Sequence, residues 1–210
     1  MTDATQQLRP RKQPSQKRSA FTVDAILEAT VHILEASPDG QFTTKQVAER
    51  SGVSIGSLYQ YFPNKQALVA ELVRRKLELL VAAATEACAS APPEYDAALH
   101  YVISRIIEEK VRNLRLAIAL APVMTGIEVQ PIVRDYTGRV FATVQSCIEE
   151  RLGTALTPAE TGRLQIAMNA VEGALSVMVK TDPTELRQEG LADTLYRMFR
   201  AVLDLSSDNQ

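Results

Sequence analysis

Residues 41 to 68 read QFTTKQVAERSGVSIGSLYQYFPNKQAL, from Gln41 to Leu68, and their local signals agree on two short helices joined by a tight turn. Thr43 followed by Gln46 is a capping box: the threonine hydroxyl accepts an orphan backbone N–H while the glutamine reaches back, so a helix starts here. Val47 and Ala48 face inward on it. Gly52 supplies the turn, Ser54 caps the next helix, and Val53, Leu58 and Phe62 fall where they pack against the first helix of the pair. A helical hairpin in an ordinary bundle explains the glycine and the inward residues. It does not explain a second helix so short and so polar outward, with Ser54, Gly56, Ser57, Tyr59 and Gln60 free of core duty. Small side chains permit close approach to a base-pair edge, and Gln60 can donate and accept there at once.

Upstream, Arg9, Arg11, Lys12, Lys17 and Arg18 stand unopposed among Gln, Ser and Pro. Such a composition cannot build a core, so residues 1–20 read as a disordered basic arm, either a solvating tail or a segment that follows a phosphate backbone. Downstream, prolines at 38, 63, 92, 93, 122, 131, 158 and 183 separate segments of helical length rich in Ala, Leu, Glu, Arg and Lys. Val23, Ile26, Leu27, Ile33 and Leu34 recur at the helical period, as do Leu99, Val102, Ile103, Ile106 and Ile107. The fold class is therefore all-α. Helices are expected near 22–36, 44–51, 55–61, 65–90, 95–111, 113–121, 130–152, 159–180 and 185–205.

Across all 210 residues, 23 basic side chains nearly balance 25 acidic ones, and this average gives no warrant for a polyanionic partner. The balance hides an asymmetry: residues 1–80 carry 11 basic and 8 acidic groups, a net of +3, and the remainder carries a net of -5. The uncharged stretch between Arg115 and Glu128 contains Pro122 and falls short of the roughly 20 apolar residues a spanning helix needs. With no apolar segment behind the charged N-terminus to suggest a secretory signal, a cytoplasmic protein without membrane contact is expected. Cys88 and Cys147 lie far apart in apolar helical contexts and read as buried structural thiols, not as metal ligands.

The run Thr43-Thr44 through Val53-Ser54-Ile55-Gly56-Ser57-Leu58-Tyr59-Gln60-Tyr61-Phe62 to Asn64-Lys65-Gln66-Ala67-Leu68 resembles the signature of TetR-family transcriptional regulators. The resemblance implies a three-helix helix-turn-helix DNA-binding domain, here residues 21–66, and a helical ligand-binding and dimerisation domain, residues 67–210. It implies that Thr44, Tyr59 and Lys65 contact phosphates and set register. Ser54, Ile55, Gly56, Ser57 and Gln60 are then the candidates for sequence reading, with Ile55 suited to a thymine methyl and Gln60 to adenine or a phosphate. Many members of the family have a basic residue in place of Ile55 and histidine in place of Gln60, so the operator sequence stays open. Tyr61 and Phe62 read as the aromatic floor beneath the short helix.

The C-terminal part must then supply a partner surface and a switch. On a helical wheel, Leu164, Met168, Val171, Leu175 and Met178 form one stripe and Ile166, Ala170, Gly173 and Val177 another roughly opposite. The last helix offers Leu195 and Phe199 among its apolar positions. These two helices and their symmetry mates suit a four-helix interface, with Ile166, Ala170, Gly173, Val177, Leu195 and Phe199 at the dimer contact. Tyr101, Met124, Tyr136, Phe141, Gln165, Asn169 and Glu172 are the aromatic and polar groups that could line a pocket for a small-molecule effector. The expected partners are a pseudo-palindromic duplex operator, that effector and a second copy of the chain, with no cofactor or metal.

Two other readings remain. An enzyme is disfavoured because His32 and His100 are the only histidines and no nucleophile, phosphate-loop or metal pattern accompanies them. A helical small-molecule-binding protein without a DNA role would share the pocket but has no use for the short capped helix, Lys65 and the basic arm. Repressor and activator are not separable from residues, although the family resemblance favours a repressor.

Overall fold

The computed structural model describes residues 17–37, 39–124 and 126–203. Among these the chain is all-α, without a strand. The helices are α1 (Lys17–Glu35), α2 (Thr44–Ser51), α3 (Ile55–Tyr61), α4 (Lys65–Ser90), α5 (Tyr95–Arg112), α6 (Leu114–Leu120), α7 (Gln130–Leu152), α8 (Pro158–Thr181) and α9 (Leu191–Leu203). From α2 to α8 the bounds fall within one residue of those expected, because caps and prolines mark them. The basic arm lies outside the described residues, apart from residues 17–20, which open α1 about a turn before the expected start.

The expected helix over 185–205 is instead a 3-10 turn, Pro183–Arg187, followed by α9. Gln188 adopts an extended backbone, and Gly190 has φ +79°, a left-handed conformation that a continuous helix excludes.

The described chain divides into two compact units. The first runs up to Leu77 and takes in Arg115–Arg134; the second comprises Glu78–Leu114 and the residues from Asp135 onward. In the first, α1 packs on α2 and α2 on α3. Val23, Ile26, Leu27 and Leu34 of α1 are buried, as are Val47, Ala48, Leu58, Phe62, Leu68 and Val73. Thr30, buried among them, donates its hydroxyl to the Ile26 carbonyl at 2.8 Å, which removes the penalty of an unpaired polar group. Arg115, at the start of α6, ties that helix to α1 by donating to Glu35 and to the His32 ring. Its hydrogen bond and charge hold the Glu35 carboxyl below the usual carboxylate range. The tie is therefore intact above that range and is lost as pH falls through the lowered value.

In the second unit, α9 packs on α8 and α5, and the 3-10 turn closes one end against the same two helices. Leu99, Val102, Ile103 and Ile107 of α5 meet Leu164, Ala167 and Leu175 of α8 and Leu191, Leu195, Phe199 and Leu203 of α9 in one core. Tyr95 sits at its margin with its ring under the Arg200 guanidinium, 5.6 Å from the centroid. Its buried hydroxyl has no hydrogen-bond partner among the described residues, and burial pushes its pKa up to about 12. Tyr95→Phe keeps the ring and removes the unpaired hydroxyl, so it is expected to raise unfolding stability by about 1 kcal/mol in urea titrations; a decrease of that size would show that the hydroxyl holds a water.

Candidate nucleic-acid interface

The α2–α3 hairpin is built by its caps. Thr43 is extended and its side chain accepts from the Gln46 N–H at 3.2 Å, while Gln46 Oε1 accepts from the Thr43 N–H at 2.8 Å, the reciprocal box expected from the sequence. At the other end Gly52, with φ +70°, sends its N–H back to the Ala48 and Glu49 carbonyls. Ser54 then caps α3, its hydroxyl accepting from the Ser57 N–H at 3.1 Å. The inward side of α3 consists of Leu58, and Phe62 follows at its C-terminal end; both are 0% exposed. Val53 and Tyr61 are half-buried.

The opposite side of α3 is turned outward. Ile55 is 43% exposed and Tyr59 41%, and Gly56 and Gln60 are exposed beside them. A Cβ placed on Gly56 would meet nothing closer than the Ser54 hydroxyl at 3.9 Å, so the fold itself does not require a glycine there. What the missing side chain provides is a shallow outer face.

The hydroxyls of Thr44 and Tyr59 lie 3.0 Å apart, which brings two of the three residues expected at phosphates to one point. That point is the N-terminus of α2, where unsatisfied backbone N–H groups and the helix dipole favour an anion. Lys65 is the first residue of α4, behind Asn64, whose side chain accepts from the Ala67 N–H at 2.8 Å. A lysine at a helix N-terminus opposes the dipole. Lys65 rests its ammonium over the Phe42 ring, 5.5 Å from the centroid, and has no carboxylate partner among the described residues. Ser54 and Ser57, grouped with the base readers by the sequence, are already hydrogen-bonded to each other at 2.8 Å, so the cap claims them first. Ile55, Gly56 and Gln60 are the positions free of structural duty.

The profile described as "Bacterial regulatory proteins, tetR family" matches residues 26–72, which enclose this hairpin. The segment that carries the hairpin is thus similar to the DNA-binding region of that family. It is 30% identical over 95 residues to the HTH-type transcriptional repressor KstR of Mycolicibacterium smegmatis, a match that spans 45% of this chain and 46% of that protein, so about half of the relative's length is shared. Among solved structures, a TetR-family transcriptional regulator from Streptomyces coelicolor superposes with a TM-score of 0.60 at 22% identity, covering 90% of this chain and 99% of that one. The regulator FadR of Bacillus subtilis, solved with stearoyl-CoA, gives a TM-score of 0.65 at 16% identity over 86% of this chain and 97% of that one. At these identities the likeness is one of fold.

The residues expected at a pocket and at a dimer contact are spread more widely. Tyr101 and Phe141 pack against the core of the second unit. Tyr136 lies under the Arg139 guanidinium at 4.6 Å. Gln165 and Asn169 are exposed on α8 and hydrogen-bond to each other at 3.1 Å, and Glu172 pairs at 2.9 Å with Lys110, which is itself buried. Met124 belongs to the first unit. On α8, Ile166 and Val177 are 60% and 58% exposed on the open face with Gly173, and Ala170 is half-buried. Leu195 and Phe199, assigned by the wheel to the same contact, are buried in the protomer core instead. The wheel shows that α9 has apolar positions on more than one side, and the core takes the larger side chains. Among the described residues no group of three or more His, Cys, Asp or Glu is placed to hold a metal, and no helix is long and apolar enough to cross a membrane.

Gly52 offers a direct test of the hairpin. A Cβ there meets nothing within 4 Å, so Gly52→Ala adds no clash and isolates the cost of the left-handed backbone. Urea unfolding is expected to show a destabilisation of about 1–2 kcal/mol; an unchanged midpoint would mean that the turn relaxes.

Proposed function

We propose that the chain is a cytoplasmic, dimeric, ligand-responsive transcriptional regulator that represses by binding a pseudo-palindromic operator and is released from it by a small molecule. The observation that carries this reading is the arrangement around α3: an exposed face of Ile55, Gly56 and Gln60, with the paired Thr44 and Tyr59 hydroxyls at the start of α2 and Lys65 at the start of α4 as flanking groups. The flanking groups suit phosphates and the central ones suit base edges, which is the division of labour a major-groove reader needs. The relative named as a repressor supports the sign of regulation. The stripe of exposed Ile166, Gly173 and Val177 with half-buried Ala170 suits a second copy of the chain, and a two-fold dimer would read half-sites about 34–36 Å apart. Effector binding acts by its preference for a dimer whose reading helices no longer match that spacing. The acyl-CoA bound to the FadR structure makes lipophilic acyl compounds the first class to screen by thermal shift.

Fluorescence anisotropy with duplex DNA across a range of salt tests the contact assignments. Lys65→Ala is expected to weaken specific and nonspecific duplexes alike and to reduce the slope of log K against log salt by about 0.9 for each phosphate that the lysine neutralises. Gln60→Ala leaves that slope unchanged and alters the preferred half-site. Equal slopes for the parent and Lys65→Ala would remove the phosphate role.

Gly173→Glu tests the partner surface. Nothing lies within 4 Å of a Cβ at this position in the protomer, so the fold tolerates the change, while a carboxylate desolvated between two copies does not find a partner. Light scattering is expected to report a monomer; a dimer of unchanged stability would place the interface elsewhere.

A further inference from the structure

Cys88, near the end of α4, and Cys147 on α7 are free thiols from different helices of the second unit. Both line an open cleft of about 430 Å³ together with Thr85, Ala89, Ser146 and Glu150. The sequence suggests inert buried thiols; Cys147 is indeed buried at the margin of the apolar core and Cys88 is half-buried against it, but a guanidinium stands beside them. Arg151, one turn beyond Cys147, points a guanidinium N–H at the Cys147 sulfur, with Nη1 at 3.2 Å from Sγ. Its other donors are directed at the carbonyls of Cys147, Cys88, Ala91 and Pro92 at 3.0 to 3.2 Å. No carboxylate forms an ion pair with it among the described residues, and the Glu150 carboxylate, which lines the same cleft, partly offsets its charge at Cys147.

We propose that Cys147 and Cys88 form a hydroperoxide-reactive dithiol, with Cys147 as the attacking sulfur and Cys88 as the resolving one. The asymmetry between the two follows from their contacts. The neighbouring Cys88 thiol and the Arg151 guanidinium at its sulfur lower the Cys147 pKa below the usual thiol range, against the opposing effects of burial and of the Glu150 carboxylate. The neighbouring Cys147 and burial raise that of Cys88, which keeps its proton until the second step. In the first step the Cys147 thiolate attacks a hydroperoxide oxygen, the S–O bond forms as the O–O bond breaks, and the alkoxide leaves and takes a proton from solvent. Sulfur loses two electrons and the peroxide gains them, which leaves a sulfenic acid on Cys147. In the second step the Cys88 sulfur attacks the sulfenic sulfur, the disulfide forms, and the departing hydroxide takes up the Cys88 proton as water. The cleft admits the oxidant, and neither step draws on the DNA-binding reading.

The test treats the reduced full-length protein with hydrogen peroxide and with tert-butyl hydroperoxide, followed by non-reducing peptide mapping by mass spectrometry. The expected result is loss of both thiols with a Cys88–Cys147 cross-link within one chain. Cys88→Ser is expected to leave a sulfenic acid on Cys147 that dimedone traps, and Cys147→Ser to leave Cys88 unreacted. Alkylation of the unmodified protein by iodoacetamide, which needs no variant, should modify Cys147 with a midpoint below the ordinary thiol value of about 8.5 and leave Cys88 slower by at least about tenfold, the rate ratio of one pKa unit. Retention of both thiols at oxidant doses that consume free cysteine, equal alkylation rates, or a cross-link only between chains would each overturn the proposal.

Discussion

A helix of seven residues cannot hold itself together in water, because nucleation costs more than its few hydrogen bonds return. α3 exists because other groups order it: the Ser54 cap at one end, Leu58 beneath it, and Phe62 where it stops. The left-handed Gly52 brings the chain from α2 into that position within a few residues. Since order is supplied from below and from the ends, Ile55, Gly56, Tyr59 and Gln60 on the outer face carry no structural load, apart from the hydroxyl contact of Tyr59 with Thr44. A longer, self-sufficient helix would leave the same residues exposed, but only a helix held at its ends and floor presents them in one fixed orientation.

Charge is placed as sparingly as structure. Between Gln41 and Leu68 the formal charges are only Lys45, Glu49, Arg50 and Lys65, and Lys45 approaches Glu49 at 3.9 Å. The positive potential comes as much from backbone as from side chains, since three helices begin within this stretch and each exposes N–H groups at its start. Total charge is blind to that contribution, which is why a near-neutral chain can carry an anion-binding face. Lys65 adds its ammonium where the α4 dipole already disfavours a cation, an arrangement that a phosphate between them would relieve.

Most helix boundaries were legible because they are written in short-range chemistry. Thr43 with Gln46 is a capping box that needs only four residues, and it forms; the structure adds a second, Thr157 with Glu160, at the start of α8. The break at Gly190 was missed because an isolated glycine in a helical pattern is often tolerated, and only its positive φ separates the 3-10 turn from α9. Contacts between residues distant in sequence had no local signal. The meeting of Thr44 and Tyr59, the grip of Arg115 on Glu35, and the pairing of Cys88 with Cys147 beside Arg151 depend on how helices pack. Periodicity likewise identified the apolar positions of α9 without saying which side the core would take, so Leu195 and Phe199 were assigned outward and lie inward. On α8, Leu164 and Leu175 are buried in the protomer while Ile166 and Val177, on the stripe that also holds Ala170 and Gly173, are open.

The central claim is that the exposed face of α3 reads duplex sequence. Selection of bound duplexes from a random pool by the full-length protein tests it most directly, because it presumes neither operator nor effector. The account predicts enrichment of a two-fold symmetric motif whose half-sites are centred about one helical turn apart. Recovery of a pool no different from the input, at salt where the protein remains folded, would contradict it.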